Sequence, residues 1–258
     1  MTTALLYPSE KNVHHTLESL KTLPQASNIG KFHNPVQFST FAEQVMDSIT
    51  RHGITVTQSE FVTTNKHQQF FAALKLANPD GDKSWSPIIG LRGSTNSTIP
   101  RQVCLGHRVL VCSNLCFTGD IASASTKQTL RLNDRMPSII DGIFERVPEI
   151  VERQGQLIRD YKSLEVSQDR GTSVMGNVFR KGGLSPSQLG TAISEWDKPK
   201  HIEHTQDGWS LWRLQNAMTQ AIKPSRNANE CNPQLIAKRT EIQTRILDDE
   251  LYRIEAAA

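Results

Sequence analysis

The spacing of apolar residues changes at about residue 137, and this change constrains the fold more than any other feature. Between residues 54 and 119, β-branched and aromatic residues form short runs separated by Asn, Asp, Gly and Pro, as in strands joined by turns. From Pro137 onward the apolar residues recur every three or four positions, which is typical of amphipathic helices. The sequence therefore predicts an α+β protein, with an N-terminal helix, an antiparallel β-meander and a helical C-terminal half.

Local signals place the elements within this outline. The runs ITVTQSEFVTT and QFFAALKLA predict a hairpin; WSPIIGL, VCLGHRVLVCSNLCF and a run around Thr126–Leu132 predict further strands. A helix is expected from Asn34-Pro35, with Gly53 placed to end it. In the C-terminal half, Pro148 is expected to kink or split a long helix.

Two tryptophans, Trp209 and Trp212, stand at helical spacing near a later helix. They could form a platform on which bases stack. We interpret both as core residues, because large aromatic side chains at this spacing are most often buried.

These patterns predict three regions. Residues 1–33 are polar and rich in His, show no sustained period, and are expected to form an N-terminal arm. Residues 34–165 are expected to form an α+β core domain that contains the antiparallel sheet. Residues 166–258 are expected to form a helical region packed on that core.

The composition argues against several classes of protein. No apolar run approaches the roughly 20 residues that span a bilayer, and the N-terminus lacks the basic and apolar segments of a secretory signal. A cytoplasmic protein without membrane association is expected. Four cysteines in 258 residues do not make a disulfide framework, and no nucleotide or metal fingerprint indicates a cofactor.

Positive charge is concentrated in the middle of the chain, although the net charge is only +3. Residues 92–135 carry six Lys and Arg against two Asp, a local charge of +4. Residues 223–245 carry five bases against two acids, a local charge of +3, so the remainder is acidic. An uneven distribution of this kind is typical of nucleic-acid-binding proteins.

The loop from Arg92 to Thr98 combines a glycine, hydroxyl groups and an amide beside two arginines. Such a loop can hold a phosphate through N–H and O–H donors and an arginine fork, or it can be a polar connection between strands. For nucleic-acid binding, the predicted contacts are Arg92, Ser94, Asn96, Arg101, Arg108, Lys127, Arg131 and Arg135. Arg92, Arg101 and Arg108 are expected to act together as the anion-binding group.

The cysteine-rich segment allows two interpretations. Cys104, His107, Cys112 and Cys116 have the spacing C-x2-H-x4-C-x3-C and are of the types that bind zinc. An apolar run lies between the ligands, however, which favours thiols buried in a strand. We therefore expect no metal here, and we expect Cys112 to be buried in a central strand.

The order of elements and the strings QFFAALKL, GLRGSTNST, RVLVCSNLCFTG and SLWRLQNAMTQAI resemble the phage/plasmid-like protein family called domain of unknown function 932. In that family a V-C-x-N-x-L/M stretch follows a Ser/Asn loop, and here Val111, Cys112, Asn114 and Leu115 stand on that stretch. The resemblance covers roughly residues 36–225, and Cys104 and Cys116 depart from it. It implies a mobile-element context, such as replication, recombination, plasmid maintenance or counter-defence. The order of elements is also similar to that of phage single-strand annealing proteins.

Three functional hypotheses follow. The favoured one is a non-enzymatic nucleic-acid-binding protein from a phage or plasmid, with single-stranded DNA binding or annealing as the first candidate and a homo-oligomer as a possible form. The second is a protein-protein interaction or counter-defence factor that docks through its C-terminal helices. The third is a metal-dependent enzyme at the cysteine-rich segment, which we favour least because no recognisable catalytic set is present.

Overall fold

The structure is a computed structural model of the chain. It describes residues 12–27, 31, 35–64, 66–78, 81–82, 84–109, 114–116, 123–126, 132–201, 203–206, 208–223 and 233–256. The chain divides into two compact units, residues 1–107 with 120–150 and residues 108–119 with 151–258. No described helix is long and apolar enough to cross a membrane.

The described elements make an α+β protein, as predicted. The first elements are β1 (Asn12–His15), α1 (Leu17–Lys21), α2 (Phe38–Arg51), β2 (Val56–Thr64), β3 (Gln69–Leu76), β4 (Trp85–Ser94), β5 (Arg101–Val109), β6 (Asn114–Cys116) and β7 (Ser123–Thr126). Helices follow: α3 (Leu132–Phe144), α4 (Val147–Ser163), α5 (Gln168–Arg180), α6 (Pro186–Asp197), α7 (Glu203–Gln206), α8 (Leu211–Ala221) and α9 (Pro233–Glu255).

The first unit is built on an antiparallel sheet with the strand order β1–β2–β3–β4–β5, and β7 pairs with β5. One face of the sheet is covered by α2, whose Phe38 stacks on Phe70 of β3 with ring centroids 5.1 Å apart. Phe41 meets the same ring at 6.4 Å. The predicted helix is confirmed, although it begins at Phe38 rather than at Pro35. Gly53 follows its end with φ +67°, a conformation that favours glycine.

The predicted N-terminal arm contains regular structure. Residues Asn12–His15 form β1, which pairs with Phe61–Thr64 at the edge of the sheet. Thr16 then caps α1 in a reciprocal capping box with Ser19. A strand of four residues is too short to show a period, so the sequence did not reveal it.

The strand predicted around Thr126–Leu132 is wrong in its extent. β7 ends at Thr126, Leu132 already belongs to α3, and residues 127–131 lie outside the described part of the chain. Met136 and Ile140 are both buried and are four residues apart, which is helical spacing. The helix therefore begins before Pro137, at Leu132. At Pro148 the predicted split is confirmed, because α4 starts at Val147 after a turn.

The second unit is helical and packs around two buried tryptophans, Trp196 of α6 and Trp212 of α8. The prediction of a buried Trp212 is confirmed at 1% exposure, but Trp209 is 36% exposed and was wrongly assigned to the core. Its ring meets the edge of Trp196 with centroids 4.8 Å apart. Trp196 also requires Gly171, because a Cβ atom there would lie 2.5 Å from the indole.

Polar contacts hold α9 to its neighbours in the second unit. The Tyr161 hydroxyl donates to Asp248 at 2.5 Å, and Arg170 forms a two-pronged ion pair with Glu250 at 2.5 and 2.6 Å. Fork-like pairs of this kind fix geometry as well as charge. The last helix is thereby tied to α4 and α5.

Candidate functional site

The loop between β4 and β5 is held in one conformation by its own side chains. Ser94 Oγ accepts from the Ile99 amide at 2.9 Å and donates to the Ile99 carbonyl at 3.0 Å. Asn96 Oδ1 accepts from the Thr98 amide at 3.2 Å and the Thr98 hydroxyl at 2.6 Å, and Ser97 has φ +59°. The loop is therefore pre-organised. Ser94, which was predicted to contact a ligand, is fully buried, and its hydroxyl bonds within the loop.

The turn between β2 and β3 is attached to this loop, which the sequence did not reveal. The Thr95 amide donates to the Gln68 carbonyl at 2.9 Å, and Asn96 Nδ2 donates to Gln68 Oε1 at 3.3 Å. Gln69 Nε2 donates to Thr98 Oγ1 at 3.2 Å. The turn also carries the exposed Lys66. The attached turn therefore adds Lys66 as a cation to the predicted loop.

Arg92 lies beside an aromatic ring on one face of the sheet. It is the direct cross-strand partner of Phe71, and residues in such pairs place their side chains together on the same face. Its Nε donates to Gln102 Oε1 at 2.5 Å, which orients the guanidinium. Arg92, Phe71 and Gln102 are all half-buried, so part of each remains open to a ligand. Phe71 was missed, although alternation along QFFAALKL places it opposite the core residue Phe70.

Arg101, which was predicted to belong to the anion-binding group, lies in the core. It is 1% exposed, its Nη2 donates to the Val36 carbonyl, and its guanidinium carbon lies 5.4 Å from the centre of the Phe41 ring. Burial lowers its pKa to about 9. Among the described residues no carboxylate pairs with it and nothing bonds to its Nη1. A ligand on the surface does not reach this side chain.

The remaining predicted contacts are only partly described. Arg135 is exposed on α3. The side chain of Arg108 and all of Lys127 and Arg131 lie outside the described residues. Of the predicted group, the structure brings together Arg92 and the loop of Asn96.

One cysteine of the predicted cluster is described. Cys104 Sγ donates to the Gly90 carbonyl at 3.5 Å, and burial raises the pKa of its thiol to about 11. Cys112 and the side chains of His107 and Cys116 are outside the described residues. Within the described ranges, no three His, Cys, Asp or Glu side chains gather as metal ligands.

A histidine–threonine network fastens β1 to the sheet. The buried Thr63 hydroxyl lies 2.8 Å from His15 Nε2 and 2.7 Å from His67 Nδ1. Since a hydroxyl has one proton, it donates to one imidazole and accepts from the other. The pKa of His15 is lowered mainly by burial, and the nearby His67 and His14 lower it further.

The polar residues of α8 are buried in the second unit, a feature that the sequence analysis did not identify. The guanidinium of Arg213 caps the end of α6, donating to the Trp196 carbonyl at 2.7 and 3.1 Å and to the Asp197 carbonyl at 3.3 Å. A cation at a helix C-terminus is favourable. Arg213, Gln215, Asn216 and Thr219 are each 5% exposed or less.

No protein-family model, no curated protein and no solved structure matches this chain. Its function is therefore inferred from its own residues.

Proposed function

We propose that the protein binds nucleic acid without catalysing a reaction, with single-stranded DNA as the first candidate. The binding residues are Lys66, Phe71, Arg92, Asn96 and Thr98, which we call the sheet-end surface. The resemblance to phage/plasmid-like proteins suggests a role in a mobile element.

The pairing of Arg92 with Phe71 is the observation that supports this proposal best. A guanidinium provides a phosphate contact, and an aromatic ring beside it provides a face on which a base can stack. Stacking needs an unpaired base, so this combination favours a single strand over a duplex.

The surroundings of the pair fit the same ligand. Thr98 is exposed, Asn96 is half-buried on the same loop, and Lys66 stands exposed on the adjoining turn. Because hydrogen bonds already order the loop and the turn, a strand that binds there does not have to order them. With Arg101 in the core, positive charge at this end of the sheet comes from Arg92 and Lys66 among the described residues.

The test is a titration of labelled single-stranded and duplex oligonucleotides over a series of salt concentrations, followed by fluorescence anisotropy. We expect tighter binding of the single strand and a linear fall of log affinity with log salt concentration. Arg92→Gln should reduce the salt slope by about one unit. Phe71→Leu should weaken single-strand binding by about 1–3 kcal/mol and leave the slope unchanged.

Matched controls are Arg180→Gln and Phe179→Leu, which make the same changes at exposed positions of α5 in the second unit. Neither should alter binding. The proposal is wrong if the wild-type protein shows no binding at low salt, or if the Arg92 and Phe71 variants behave like these controls.

A further inference from the structure

The protons of the histidine–threonine network can be assigned one by one. The Ser19 hydroxyl donates to the Thr16 carbonyl at 3.1 Å, so it accepts from Nδ1 of His15 at 3.3 Å. Nε2 of the neutral His15 ring is then an acceptor, to which the Thr63 hydroxyl donates at 2.8 Å. The Thr63 oxygen accepts in turn from Nδ1 of His67 at 2.7 Å. With both rings neutral, each of these groups therefore has a partner.

The network accommodates one additional proton. A proton on Nε2 of His67 changes none of these bonds, because Nδ1 of that ring already donates. A proton on His15 makes its Nε2 a donor, and the Thr63 hydroxyl can then turn to Nδ1 of a neutral His67. In either singly protonated form, Thr63 keeps one donor and one acceptor.

A second proton cannot be accommodated. With both rings charged, two N–H groups point at the Thr63 oxygen, and the hydroxyl proton loses both of its acceptors. Thr63 is buried, so water does not replace them, and a buried donor without an acceptor is costly. The rings of His15 and His67 also lie edge to face with centroids 5.5 Å apart, a distance at which two cations repel each other.

The carboxylates of the neighbouring helices do not offset this repulsion. In the described part of the chain neither ring forms an ion pair with a carboxylate. Glu18 of α1 pairs with Lys21 at 2.9 Å, and Lys21 pairs in turn with Glu43 of α2 at the same distance. The turn between β2 and β3 contributes Lys66, an exposed cation.

His14 acts in the opposite direction on the other face of β1. Its Nδ1 lies 3.2 Å from Glu60 of β2, so protonation of His14 strengthens this contact. The side chain of His14 is more than half exposed, however, and exposed ion pairs contribute little to stability. Acidification therefore weakens the network on one face more than it strengthens the ion pair on the other.

Strand β1 depends on this network more than the adjoining helix does. The strand has four residues, and its one aliphatic side chain, Val13, is 37% exposed. Helix α1 has anchors of its own in the buried Leu20 and in the pair of Lys21 with Glu43. Loss of the network should therefore free β1 and leave α1 in place.

We infer that β1 is a strand released by acid: when His15 and His67 are both protonated, it detaches from β2 while the rest of the sheet stays folded. The released state binds at least one proton more than the network can hold, so each pH unit below about 6.5 should favour release about tenfold. The pKa of His15, which burial lowers, has the sign that this device requires, because release lets the ring take up its proton. The inference is independent of nucleic-acid binding.

The test is hydrogen exchange of the full chain between about pH 7 and pH 5, resolved to single residues by mass spectrometry and corrected for the intrinsic exchange rate. We expect the opening constant of β1 to rise about tenfold per pH unit, while the amides of β3 keep their protection. His15→Gln and His67→Asn each leave one ring that can be protonated, which the network tolerates, so both should retain β1 in acid. Asparagine also tolerates the positive φ of position 67.

Two control variants replace histidines outside the network. His52→Gln at the end of α2 and His14→Gln on the other face of β1 should both still release the strand in acid. A thermal melt and the exchange of β1 at neutral pH check that each variant is folded with the strand in place. The inference is wrong if exchange of β1 in the wild type does not depend on pH, or if β3 loses its protection together with β1. It is also wrong if His15→Gln and His67→Asn release the strand as the wild type does.

Discussion

Replacing Arg101 by Met tests whether its guanidinium belongs to the protein interior or to a ligand site. The side chain is 1% exposed, and within the described residues its polar contact is one hydrogen bond to the Val36 carbonyl. Methionine has a similar length and no charge, so Arg101→Met keeps the packing against Phe41 and removes the cation.

The expected change in stability follows from three opposing contributions. Burial lowers the pKa of Arg101 from 12.5 to about 9, so the group is still charged at pH 7. At 1.36 kcal/mol per pKa unit, holding the charge in the interior costs on the order of 5 kcal/mol. The variant loses about 1–3 kcal/mol by leaving the Val36 carbonyl unpaired and about 1–2 kcal/mol by losing the cation–π interaction with Phe41. The free energy of unfolding should therefore be unchanged or higher, by up to about 3 kcal/mol.

Urea unfolding at pH 7, followed by circular dichroism, measures this change. Oligonucleotide affinity is measured in parallel on Arg101→Met and on Arg92→Met. We expect Arg101→Met to bind like the wild type and Arg92→Met to bind more weakly. A fall of more than about 2 kcal/mol in the free energy of unfolding would contradict this prediction, because it would show that the protein compensates the charge of Arg101. If Arg101→Met and Arg92→Met are both folded and lose the same oligonucleotide affinity, Arg101 contributes to ligand binding and the prediction is wrong.

Three further predictions concern packing, thiol chemistry and pH. Gly171→Ala should lower the free energy of unfolding by about 1–3 kcal/mol, because its Cβ would lie 2.5 Å from Trp196 and this clash outweighs the better helix propensity of alanine. Chemical denaturation measures the change. An unchanged or higher free energy of unfolding would contradict the prediction. Since burial raises the pKa of Cys104 to about 11, its alkylation at pH 8 should be much slower than that of a free thiol. Peptide mass spectrometry measures the rate. Rapid labelling of Cys104 in the folded protein would refute this prediction. The pKa of His15 is lowered in the folded state, so the unfolded chain binds a proton at His15 more readily than the folded chain does. The contribution of His15 to stability is therefore complete above about pH 6.5 and is lost as the pH falls below that value. The slope is at most about 1.4 kcal/mol per pH unit. His15→Gln should flatten this part of the curve of unfolding free energy against pH, and an unchanged curve would exclude His15 as the cause.

Much of the fold was predictable because periodicity reports burial. Phe38 and Phe41 at helical spacing predicted the helix α2, and the β-branched and aromatic residues of β2 and β3 predicted their hairpin. Alternation along β5 held information that was not used. Arg101 shares its face of β5 with the buried Val103 and Leu105, which points to the interior and away from a ligand.

Other parts of the candidate sites depend on contacts between distant segments. The attachment of Gln68 to Asn96 follows from the register of β3 on β4, which local sequence does not determine. The buried polar residues of α8 were missed for another reason. Gln215 and Asn216 have the polarity of a solvent-facing helix surface, and only the packing of α6 and α7 around α8 makes them interior.

The short strand β1 has a consequence for self-association. It pairs with Phe61–Thr64, the most apolar part of β2, and among the described residues this pairing ends just before Glu60. A charged residue and a short edge strand both discourage pairing with a second chain. A chain shortened to begin after His15 would expose the backbone donors and acceptors of Phe61–Thr64 as a new sheet edge. Such a truncated protein should aggregate by edge-to-edge pairing, even though nearly all of its core is retained.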